Sequence, residues 1–143
     1  MGTTINYGRM ILGGFLAAFV LFMVGYLTHG VFLKEKYLHF QELGSVLAQP
    51  REMGMPAHLV GTLVSGFALS MIWIVARVFG ESTPATAIKV GFVVGLYTTA
   101  GTSAEYAFYN LGSMIPLMTL AGNVVGAILG IFAAGIVYIG IKT

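Results

Sequence analysis

The sequence predicts an all-α integral membrane protein: a bundle of four transmembrane helices in a single domain over residues 1–143, with a short interfacial amphipathic helix between the first and second spans. Three observations carry this. Of the 143 residues, 57% are hydrophobic and 8% charged, against about 25% charged in an ordinary soluble domain. Seven Lys and Arg with five acidic residues, all Glu, cannot clothe a soluble surface. Four apolar runs, Met10–Leu33, Ala57–Gly80, Ala85–Tyr109 and Ile115–Ile141, each reach the roughly 20 residues a helix needs to cross the hydrocarbon core.

The first run is longer than the apolar core of a signal peptide and no small-x-small cleavage site follows it, so it reads as a retained span. Pro56 stands just ahead of the second run, and "ESTPATA" offers Thr83 as N-cap with Pro84 at the first helical position. "NLGSMIP" is a short uncharged turn, which places the third and fourth spans antiparallel and side by side. In the one sizeable loop Tyr37, Phe40, Leu43 and Leu47 recur at helical spacing among polar residues. That pattern is the amphipathic helix, lying in the headgroup layer.

Even-numbered crossing puts both termini on one side, here called side A, with Arg9, Arg77, Lys89 and Lys142. Side B carries Lys34, Lys36 and Arg51. The bias favours cytoplasmic termini in a multi-pass protein of a bacterial inner membrane. Trp73 and Tyr138 near side A, and Tyr26, Tyr37, Tyr106 and Tyr109 near side B, fall where aromatic belts form.

Helices in lipid associate through close packing and interhelical hydrogen bonds. The fourth span repeats a small residue at Gly122, Gly126, Gly130 and Ala134, the third carries Gly91 and Gly95, the second Gly61 and Ser65, and the first Gly14 and Ala18. Such faces pack within one bundle or dock a second copy or another membrane subunit.

The third span is polar for its place. Thr98, Thr102 and Glu105 continue the face of Gly91 and Gly95 toward Tyr109. His29 lies near the side B end of the first span, His58 in the opening turn of the second and Glu105 near the end of the third. At 1.5 Å of rise per residue they share one level, with Asn123 on the fourth span a little deeper and Thr102 and Tyr106 flanking Glu105. This layer reads as a structural hydrogen-bond network, as groups snorkelling to the headgroups, as a site that binds or relays a proton or polar solute, or as a metal site of His29, His58 and Glu105. No H-x-x-x-H or E-x-x-H pair fixes a metal geometry.

"GYLTHGVFLKEKYL", "VGFVVGLYTTAGTSAEYAFYN" and "LAGNVVGAILG" together resemble an uncharacterised family of small four-span bacterial membrane proteins, known as a domain of unknown function. The resemblance implies a four-span fold and carries over no activity, ligand or catalytic residue.

The chain has no cysteine, no nucleophile and base pair and no phosphate loop, so no enzyme and no cofactor is expected. The formal charge of +2 is too small and scattered for nucleic acid. The expected role is a non-catalytic packing or accessory subunit of a homo-oligomeric or larger assembly in the lipid bilayer. The alternative is a small carrier or channel for protons or a polar solute, and a membrane metal site stands third.

Overall fold

A computed structural model describes residues 5–44, 54–77, 82–108 and 112–140, with the backbone alone at 54, 103–108 and 140. Among the described residues every element is helical. Helix α1 (Tyr7–Gly25) continues without interruption into a π-helical turn, Tyr26–Phe32, and Leu33 separates this turn from α2 (Lys34–Glu42). There follow α3 (Gly54–Arg77), α4 (Thr83–Phe108) and α5 (Met114–Gly140).

Three stretches are long and apolar enough to cross a membrane: Tyr7–Phe32, Met55–Arg77 and Met114–Ile139. Helix α4 has the length, at 26 residues, but Lys89 and the threonines at 98, 99 and 102 dilute its apolar run. The large apolar side chains point outward, with Phe15 52% exposed, Val64 63% and Val93 63%. The interior is built of small residues such as Ala17, Ala87, Ala127 and Ala134. In water such a surface would aggregate. In a bilayer it is the ordinary solvent-facing side, and small inward residues let the backbones close in.

Helix α5 is the spine. Both α1 and α4 run antiparallel along it, α3 packs against α1, and α3 and α4 barely touch each other. Glycines set the approach. A Cβ at Gly91 would lie 2.6 Å from the Ile128 Cα, a Cβ at Gly95 would strike Val124, and one at Gly66 of α3 would lie 2.5 Å from the Gly14 carbonyl oxygen of α1. These positions admit no side chain without separating the helices.

The expected small-residue stripe of α5 is covered inside the chain. Gly122 meets Thr28, Gly126 meets Leu21 and Val24, Gly130 meets Leu69 and Ala17, and Ala134 backs onto Gly13. Gly61 and Ser65 of α3 differ from the packing role their spacing suggests, because both are exposed and a Cβ at Gly61 meets nothing within 4 Å.

Local starts and stops follow the sequence with small shifts. Asn6 caps α1 by accepting the Arg9 N–H at 3.0 Å. Helix α4 begins one residue earlier than Thr83 as cap requires: the Ser82 carbonyl already accepts from the Thr86 N–H at 3.0 Å, so Pro84 sits inside the first turn. Gly112, entering α5, has a φ of 64°, a left-handed conformation that glycine adopts without penalty.

Trp73 is no interfacial belt residue. It is 1% exposed, its ring lies 5.2 Å from that of Tyr138, and the Arg77 guanidinium sits 5.4 Å above it. With Ala87 and Ile131 it closes the side A end of the interior. Tyr138 in turn accepts the Asn6 N–H through its hydroxyl at 3.0 Å.

Helix α2 forms where the apolar spacing requires. Tyr37 and Phe40 turn inward onto a small cluster of Leu33, Ile115 and Met118. Leu43, expected on the same face, is 63% exposed because the helix has ended by then, and Leu47 lies outside the described residues.

Candidate functional site

Because α3 and α4 diverge while both flank α5, a cleft of about 590 Å³ lies between them. Helix α5 and the end of α1 form its floor. From α1 and its π-helical turn come Leu21, Val24, Thr28 and His29; from α3 come His58, Thr62, Ser65, Leu69 and Ile72. Helix α4 contributes Val94, Tyr97, Thr98 and Thr102, and α5 contributes Thr119, Asn123 and Ala127.

Four residues singled out in the sequence, His29, His58, Thr102 and Asn123, therefore line one cleft from four different helices. Glu105 and Tyr106 belong to the last turns of α4, and their side chains lie outside the described residues. The stripe on α4 divides: Gly91 and Gly95 seat on α5, whereas Thr98 and Thr102 face the cleft.

Two of the polar groups are held by second partners. His29 Nδ1 shares a hydrogen bond with the Tyr37 hydroxyl at 2.9 Å, and the ring lines the cleft. The Asn123 side-chain amide donates to Thr99 Oγ1 at 3.1 Å, and the Thr99 hydroxyl donates to the Gly95 carbonyl at 2.8 Å. That relay fixes which way the amide points. Thr98 and Thr102 return their hydroxyls to carbonyls of their own helix, a bond that lowers the penalty for a hydroxyl at membrane depth.

Of the expected shared layer, His29, His58 and Asn123 line this one cleft. The layer is a cleft wall more than a mutual network: no hydrogen bond joins His29 to His58 or either to Asn123 among the described residues. Nor, among the described residues, do three His or acidic side chains come together to hold a metal ion.

The polarity of the cleft changes along its length. His29, His58, Thr102 and Asn123 occupy the side B half, while Leu69, Ile72, Val94 and Ala127 line the other. No Lys, Arg, Asp or Glu lines it among the described residues. Tyr37 and Tyr97 escaped sequence reasoning. Tyr37 reaches His29 only because the chain turns at Leu33, and Tyr97 stands beside the threonine stripe at 79% exposure. A polar spacing on α3, His58, Thr62 and Ser65 at steps of four and three, was the available signal for its side of the cleft.

No protein-family model matches the chain, so the resemblance noted in the sequence finds no such support, and neither the curated proteins nor the solved structures contain a significant match.

Proposed function

We propose that this chain is a non-catalytic four-span membrane protein that binds and carries a small uncharged molecule in the cleft between α3 and α4. The observation that carries the reading is the convergence of His29, His58, Thr102 and Asn123, from four helices, on one cleft of about 590 Å³. That volume falls in the range of roughly 300–1,000 Å³ typical of small-molecule sites.

Three points support α4 as a fourth span. It lies antiparallel along α5, its glycines are fitted to that helix, and its threonine hydroxyls are satisfied by backbone. Both termini then lie on side A, and the excess of Lys and Arg there favours a cytoplasmic side A in a bacterial inner membrane.

A carrier fits the cleft better than a channel. The polar lining stops near Ser65 and Thr98, and beyond it stand Leu69, Ile72 and the buried Trp73 layer. Neither water nor a proton has a continuous polar path along the described residues. An accessory subunit would have to use a surface other than the glycine stripes of α1, α4 and α5, which are occupied within the chain.

Native mass spectrometry of the protein extracted gently from its own membrane tests this, comparing wild type with Gly61→Leu. Gly61 lines the cleft and has open space around it, so leucine there fills the cleft without a clash. The expected result is a small molecule bound to the wild type and absent from the variant. A wild type that carries nothing, or a variant that keeps its ligand, would overturn the reading.

A further inference from the structure

The two halves of the cleft differ in kind, and the difference specifies a ligand. Along α3 the cleft runs from His58 to Ile72, a rise of about 21 Å. The part between His58 and Ser65 is polar and the part between Ser65 and Ile72 is apolar, each about 10 Å long. Resting on the proposed carrier reading, we infer that the ligand is a neutral single-chain amphiphile, its hydrogen-bonding head among His29, His58 and Asn123 and its apolar chain directed toward Leu69, Ile72 and Val94.

Each part of that description excludes an alternative. A compact polar solute would use only the polar half and leave Leu69, Ile72 and Val94 without a part in its recognition. A phospholipid carries a phosphate, and no Lys or Arg lines the cleft among the described residues to pair with it; an unpaired charge at this depth costs several kcal/mol.

The head end is prepared for a neutral group that both donates and accepts. The Tyr37 bond occupies Nδ1 of His29, whose ring lines the cleft, and the Thr99 bond holds Asn123 with its carbonyl oxygen and second N–H unused among the described residues. A hydroxyl or carbonyl head meets both. Entry is lateral, through the gap where α3 and α4 barely touch, so the ligand arrives from the bilayer without crossing its surface.

Photolabelling in native-like nanodiscs tests the assignment, with a dodecanol bearing a diazirine along its chain as the neutral probe and the corresponding carboxylate and trimethylammonium as charged controls. Labelled peptides are mapped by mass spectrometry. The dodecanol is expected to label the segments around Leu69–Ile72 and Val94, in competition with unlabelled dodecanol, and the charged controls are not. Two variants separate the halves. Ala68 is exposed and lines the apolar half, so Ala68→Phe blocks the chain site and should reduce cleft labelling to the control level while the thermal unfolding temperature holds. Retention of the natural ligand in Ala68→Phe and its loss in Gly61→Leu would overturn the amphiphile and leave a polar ligand in the polar half, with the carrier reading intact. Absence of cleft labelling by dodecanol in the wild type, or a cleft found cross-linked to a second protein chain, would overturn the assignment outright.

Discussion

His29 Nδ1 and the Tyr37 hydroxyl stand 2.9 Å apart across the break at Leu33. One hydrogen bond thereby ties the end of the first long helix to the short helix that follows it. Tyr37→Phe keeps the ring against Leu33 and Ile115 and removes the hydroxyl that makes this bond, a loss of about 0.5–1.5 kcal/mol. Hydrogen exchange over Lys34–Glu42 should become faster while α1 and α5 keep their protection. Unchanged exchange in α2 would show that its apolar contacts alone hold it.

Two glycines on one helix should respond in opposite ways. At Gly66 a Cβ would lie 2.5 Å from the Gly14 carbonyl oxygen, so Gly66→Ala should destabilise by about 1–3 kcal/mol through forced separation of α1 and α3. At Gly61 nothing lies within 4 Å, so Gly61→Ala should stabilise by up to about 1 kcal/mol from helix propensity. Thermal unfolding in detergent reads both, and equal responses would contradict the packing described for α3.

The Asn123 to Thr99 bond is a polar link between α4 and α5. A double-mutant cycle with Asn123→Ala and Thr99→Ala should give a coupling of about 0.6 kcal/mol, the usual size for an interhelical hydrogen bond in a membrane. Strict additivity would mean the two side chains do not act on each other.

Topology can be settled with single cysteines, since the chain has none of its own. Ser82, just before α4, and Ser113, just before α5, are both exposed. If α4 crosses, a membrane-impermeant maleimide should label Ser82→Cys and Ser113→Cys from opposite sides of sealed vesicles. Labelling of both from one side would leave α4 lying outside the bilayer and would remove the fourth span.

What the sequence made legible was whatever rests on period and composition. The helices at 7–25, 54–77, 83–108 and 114–140 follow apolar runs, and the Tyr37 and Phe40 spacing located α2 because helical period alone decides which residues face inward. Depth counting likewise brought His29, His58 and Asn123 to one region, since rise per residue is nearly constant. Which helix each stripe meets was not legible. Glycine spacing is the same whether it serves a neighbour in the chain, as at Gly126 and Gly130, or an open cleft, as at Gly61. Trp73 misled for a related reason: an aromatic near a span's end reads as interfacial unless the neighbouring helix is known to cover it.

The arrangement around α5 also bears on the order in which the protein is made. Helices α1 and α4 each find their main neighbour in α5, and α3 touches α4 hardly at all. A ribosome releases that common neighbour after α1, α3 and α4. Until it does, the main contact among the earlier helices is that of α1 with α3, and α4 waits with Gly91, Gly95 and Thr99 unmatched. A chain cut short before Met114 would therefore lack the helix that the others gather around.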